Sequence, residues 1–194
     1  MVGSAIGDRD GFLALKRAAI AAMAVLLLAC GPSRAQVDFK GYNDIATVAA
    51  HGRTDDVIRE LQAGRSPSVP DDSGETALHY AAQLGDQRMA NALLYYKAPV
   101  DARDQFGNTP LHWAAQRGSM SVMQLLLDSG ASVDVQNKQG MTPLMMAAKA
   151  GQLPAVRLLV KAGADPQRAD FTGRTAIGWA DGKPAVAQFL RSAK

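Results

Sequence analysis

The side chains with chemical potential in this 194-residue chain are three histidines, one cysteine and two adjacent acidic pairs. His79 and His112 stand 33 residues apart, each between a leucine and an aromatic residue in the strings LHYAA and LHWAA. Imidazoles bind zinc and move protons at neutral pH, so a recurring pair raises both chemistries. If the two rings hold the same place on successive stacked helices, they lie roughly 8–10 Å apart. Zinc ligands must converge on one ion at about 2 Å, and the pair is badly placed for that. His51 stands in another register, just before Gly52, as a surface residue at a helix end. Asp55-Asp56 and Asp71-Asp72 could attract a cation, but they fall at a helix start and in a turn, where acidic residues are favoured without one. No Gly-x-Ser-x-Gly elbow and no Gly-x4-Gly-Lys phosphate loop occurs. Cys30 is the only cysteine, so neither an intrachain disulfide nor a cysteine metal site can form. These residues predict no catalytic, metal or cofactor site: the chain reads as a binding module and not an enzyme.

The elements around the histidines explain them better. GETALHYAAQLG starts at Gly74, GNTPLHWAAQRG at Gly107, GMTPLMMAAKAG at Gly140 and GRTAIGWA at Gly173. Each begins 33 residues after the last, and one step back reaches Gly41 and GYNDIATVAAHG. The units are 41–73, 74–106, 107–139 and 140–172, with a shortened fifth at 173–194. Thr76, Thr109, Thr142 and Thr175 are placed to cap helix N-termini. Pro110 and Pro143 follow at the first helical position, where a missing N–H costs nothing. Gly85, Gly118 and Gly151 stop the first helix. A second helix follows, with Val122, Leu125 and Leu126 inward in one unit and Val156, Leu158 and Leu159 in the next. Gly130 and Gly163 end it, and polar links such as 132–139 and 165–172 have the length of a short hairpin finger. One unit cannot bury its apolar face alone, so stacking must supply the core. In the first unit Asn43 is the candidate cap. In the last, the string from Ala180 to Pro184 shortens the first helix, and AVAQFLRSAK forms one amphipathic helix with a polar, basic end. Such terminal departures suit capping repeats and imply a complete array.

Residues Thr109 to Ala115, Gly118, Leu126-Leu127 and Gly130-Ala131 carry a motif that resembles the ankyrin repeat, and the resemblance extends from Gly41 to about Leu190. It implies an all-α repeat solenoid of stacked helix-turn-helix units with short hairpin fingers. It also implies that the histidine is architectural, its ring bonding backbone of neighbouring turns. Met145 takes that place in the fourth unit and Gly178 in the fifth.

Residues 1–40 read as an address and not as fold. Lys16 and Arg17 precede an apolar run from Ala18 to Cys30, short of the roughly 20 residues a bilayer span needs. Gly31-Pro32 then leads to Ser33-Arg34-Ala35, the pattern of a signal peptide cleaved after Ala35 (segment 1–35), leaving a short tail at 36–40. LLAC at 27–30 also resembles a lipobox, with Cys30 as the lipidated residue. Both readings place the body outside the cytoplasm: in the periplasm, or on the outer membrane as a lipoprotein. The segment 1–35 holds four basic and two acidic residues, and the rest 17 and 16. A near-neutral body is a poor general ligand for nucleic acid or anionic membranes, and no later segment is apolar enough to span a membrane.

In the ankyrin pattern the fingers and the ends of the first helices make one concave protein-binding surface. Those slots hold Arg103, Gln105, Phe106 and Asn108 in one finger, Lys138 and Met141 in the next, and Phe171 and Arg174 in the last. The adjoining helix ends hold Gln116, Arg117 and Lys149. Phe106, Met141 and Phe171 are notable because turn tips are normally polar, and aromatic residues and Arg dominate interface hot spots. Trp113 and Trp179 are expected to pack between repeats. Tyr95 and Tyr96 end a second helix on the opposite side, as surface tyrosines or a second patch. Lys97 follows where Gly is usual, which predicts a distorted helix end. The function implied is protein–protein interaction in the bacterial periplasm or envelope, stabilising, inhibiting or tethering a partner. The alternative is a lipid-anchored envelope scaffold, and more remotely a small hydrolase or metal-dependent enzyme.

Overall fold

A computed structural model describes residues 44–193. The export segment 1–35 with Cys30, the tail 36–40 and residues 41–43 of the first unit lie outside the described residues. Ten helices follow in pairs among the described residues. They are α1 (Ile45–Ala50) and α2 (Thr54–Gln62), α3 (Ala77–Leu84) and α4 (Gln87–Tyr95), α5 (Pro110–Arg117) and α6 (Met120–Asp128), α7 (Pro143–Ala150) and α8 (Leu153–Lys161), and α9 (Ala176–Trp179) and α10 (Pro184–Ser192). No β-strand forms among the described residues, only one antiparallel bridge, Ala169 to Thr175. None of these helices is long and apolar enough to cross a membrane. First helices pack on first helices and second helices on second helices along the stack, which makes an all-helical repeat solenoid.

The local signals act as the spacing predicts. Thr76 and Thr109 form reciprocal capping boxes with His79 and His112, and Thr142 Oγ1 accepts from the Met145 N–H at 3.3 Å. Pro110 and Pro143 open α5 and α7. Gly85, Gly118 and Gly151 end α3, α5 and α7 in the left-handed conformation that L-residues avoid. Thr175, expected to cap, has the same extended backbone but makes no side-chain bond at the head of the one-turn α9. In the first unit Asp44 occupies the N-cap position without a side-chain bond.

The core runs the length of the stack. The alanine pairs Ala81-Ala82, Ala114-Ala115 and Ala147-Ala148 are fully buried, and their small side chains let adjacent first helices approach closely. Leu78, Leu111 and Leu144 fill the inner row, and Leu93, Leu126 and Leu159 the outer, all fully buried. Each contributes about 1.5–3 kcal/mol of apolar burial. Leu125 and Leu158, expected inward, are only half-buried because they sit at the flank of the apolar stripe. Lys97 does not distort its helix end as expected. It adopts φ 66°, the left-handed position that Gly64, Gly130 and Gly163 hold in the sister units.

Candidate functional site

Each finger is built on one acidic or amide side chain. Asp104 Oδ1 accepts the N–H groups of Phe106 and Asn108, both at 2.8 Å. Asp71 does the same for Ser73 and Glu75, Asn137 for Gln139 and Met141, and Asp170 for Thr172 and Arg174. The second oxygen ties the finger to the first helix: Asp104 Oδ2 accepts from Trp113 Nε1 at 3.0 Å, Asp170 Oδ2 from Trp179 Nε1 at 2.9 Å and Asp71 Oδ2 from the Tyr80 hydroxyl. Nine residues separate donor and acceptor in each case. That spacing was the available signal, and the reading of Trp113 and Trp179 as inter-repeat packing residues overlooked their finger-anchoring bonds. The fourth unit obeys the same logic by exception. Met146 supplies no donor there, and Asn137 replaces the aspartate, its Nδ2 donating to Asn108 Oδ1 of the preceding finger at 2.8 Å.

Donors hold Asp170 charged: the Thr172 hydroxyl, then the Arg174 and Thr172 N–H groups and the Trp179 indole, lower its pKa to about 2 against the opposing effect of burial. Successive fingers join through backbone. The N–H groups of Gln105, Lys138 and Phe171 donate to the carbonyls of Ser73, Phe106 and Gln139 at 3.0, 2.9 and 3.3 Å.

The histidines are part of this frame. The Thr109 N–H donates to His112 Nδ1 at 3.1 Å, and Nε2 donates to the Met141 carbonyl of the next unit at 3.0 Å. His79 repeats the arrangement with Thr76 and Asn108. Both nitrogens of each ring are used, which fixes the neutral Nε2–H tautomer. Burial lowers both pKa values, that of His112 to about 4. His51 is exposed at the end of α1, its Nδ1 2.7 Å from the Thr47 carbonyl oxygen.

The expected binding residues divide into two groups. Phe106 is 56% exposed and Phe171 71%. Arg103, Gln105, Arg117, Lys138, Lys149 and Arg174 are also exposed. Arg103 Nη1 donates to the Gln136 carbonyl at 3.0 Å. Gln116 is half-buried, with its Oε1 covered and unpartnered among the described residues.

Met141 and Asn108 are corrections. They are 2% and 5% exposed and cannot serve as side-chain anchors on the surface. The cause is the next finger: Asn108 is bonded by Asn137, and Gly140, beside Met141, lies directly under Phe171, where a Cβ would meet the Phe171 nitrogen at 2.5 Å. Arg174 holds the same slot in the last finger and is exposed; nothing lies within 4 Å of a Cβ built on its neighbour Gly173.

Cations gather at the far end of this face. Lys149 Nζ lies 4.7 Å, and Arg174 Cζ 4.6 Å, from the centroid of the Trp179 ring. Residues 44–106 carry ten acidic and six basic side chains, residues 107–193 five and nine. The exposed Tyr95 packs edge to face against Tyr96, 5.3 Å between centroids, at the end of α4.

The family model described as Ankyrin repeats (3 copies) matches residues 12–104, 45–137, 86–170 and 111–194. No curated protein matches the chain. The 33-residue register, the Thr-to-His capping boxes and these overlapping matches make the chain a member of the ankyrin repeat family, whose domains are generally protein–protein interaction modules.

Proposed function

We propose that this chain is a non-enzymatic module that binds a partner protein through its fingers and first-helix ends after export to the periplasm. The carrying observation is the contrast within the fingers. Asp71, Asp104, Asn137 and Asp170 are consumed in holding the backbone, whereas Phe106 and Phe171 stand exposed on that rigid frame. An aromatic side chain fixed on a preorganised support loses little freedom on binding. Export rests on the positively flanked apolar run before Ala35, with a lipid anchor at Cys30 as the alternative route to the envelope.

Affinity capture from the native source, with the wild-type chain beside a Phe106→Ala/Phe171→Ala variant, tests the binding face. A partner retained by the wild type and lost by a variant with an unchanged melting curve is the expected result. Equal retention by both would move the interface elsewhere. Mass spectrometry of the natural N-terminus should find Gln36 or a lipidated Cys30; an intact Met1 would contradict export.

A further inference from the structure

The charged side chains of the stack are unevenly paired. Among the described residues, the ion pairs Arg53–Asp56, Arg59–Asp56, Arg65–Glu60 and Arg88–Asp55 all lie in the first two units, and the remaining pair, Arg168–Asp134, joins two inter-unit links. Arg117, Lys138, Lys149 and Arg174 form none among the described residues, although all are exposed on the finger and helix-end slots of units three to five. Lys149 and Arg174 converge on the same indole, each within 5 Å of the Trp179 centroid. Two like charges held on one ring repel each other. The ring's quadrupole offsets part of that repulsion, and carboxylates brought up to the two cations would offset more. Asp170 cannot serve, because its carboxylate is buried and already accepts from Thr172, Arg174 and Trp179.

From this geometry we infer that the finger and helix-end face of units three to five takes a short acidic segment of the partner protein, its carboxylates on Lys149 and Arg174 and an apolar side chain against Phe171. The inference rests on the protein-binding reading above and adds the chemistry of the occupant. The charge pattern also sets its length. Three units stacked at roughly 8–10 Å span two intervals, about 16–20 Å between first and last. With the breadth of the outer units included, an extended segment of about 6–9 residues covers the site at roughly 3.3 Å each. In units one and two, before this site, the stack is acidic, with ten acidic against six basic side chains over residues 44–106. A long polyanion laid along the finger face would be repelled there, which favours a short acidic segment over nucleic acid or an anionic membrane surface.

The test is selection from a random twelve-residue peptide library displayed on phage, with the full purified chain as bait. Enriched peptides should be rich in Asp and Glu with interspersed apolar residues. A synthetic representative should lose roughly tenfold or more in affinity on Lys149→Glu/Arg174→Glu, and should weaken with added salt. Lys161→Glu, on the exposed side of α8, should change affinity by less than about twofold, and circular dichroism should show all three proteins equally folded. Neutral or basic enriched peptides, acidic peptides that bind the double variant as tightly, or no enrichment at all would overturn the acidic-segment inference. The protein-binding reading would then stand or fall separately, on capture by Phe106 and Phe171. Lys149-dependent binding of a labelled single-stranded oligonucleotide or of phosphatidylglycerol vesicles, or Lys149-dependent self-association in sedimentation, would also overturn it by naming a different occupant.

Discussion

His112 shows how one side chain can look catalytic and be architectural. Its Nδ1 accepts from the Thr109 N–H and its Nε2 donates to the Met141 carbonyl, so the ring joins a helix start to the next unit. His112→Ala removes both bonds and should cost about 1–3 kcal/mol of stability, read by urea unfolding. The pH dependence has a definite sign. The folded-state pKa lies near 4, below the ordinary 6.5, because burial disfavours the charged ring. Between those values the unfolded chain binds the extra proton, so the histidine contribution to stability should fall as pH drops from about 6.5 to about 4, by at most about 1.4 kcal/mol per pH unit per histidine, and level off below. His79, lowered for the same reason, adds to the slope. A His112→Met variant, which copies the choice made at Met145, should be less stable at neutral pH and show a flatter profile; an unchanged slope would contradict the assignment. The two finger residues Phe106 and Met141 should separate cleanly in melts. Met141→Ala should cost about 2–5 kcal/mol as a core truncation, and Phe106→Ala within about 0.5 kcal/mol as a surface one.

At the scale of elements, the junction before the last unit lacks a bond that the two junctions before it have. His79 and His112 each send a hydrogen bond to the carbonyl of the following unit. Met145 has no such group, and the Arg174 carbonyl accepts only the Asp170 N–H among the described backbone. The helix beyond it, α9, has four residues, includes Gly178 and lacks a side-chain cap. Amides of α9 and α10 should therefore exchange with deuterium before those of α3 to α7. Met145→His should slow exchange at Ala176–Trp179; no change there would show that the missing bond is not the cause. Lys97→Gly should stabilise the end of α4 by about 1 kcal/mol, since Lys97 holds a left-handed conformation costly for an L-residue.

These elements were largely legible in the sequence because their signals are local: Thr before the helix, Pro at its first position, Gly after its last. The burial of Met141 was not. The same slot is covered at Asn108 and Met141 and open at Arg174, and what decides it is the neighbouring finger, 33 residues away. The finger-anchoring role of Trp113 and Trp179 showed only in the nine-residue spacing to aspartate, which crosses the boundary between finger and helix.

On the scale of the whole molecule, the repeat geometry turns separate residues into one continuous face, with exposed aromatics on a finger ribbon held by backbone bonds and cations massed toward units three to five. Tyr95, exposed at the end of α4 in the row of second helices, gives an internal control. The most direct test is to place a photo-crosslinking amino acid at Phe106, Lys138, Phe171 or Tyr95 in cells of the native source and to compare the adducts. Discrete adducts to a partner protein at Phe106, Lys138 and Phe171, with none at Tyr95, are the expected result. Adducts confined to Tyr95, or spread equally over all four positions, would contradict a binding face formed by the fingers.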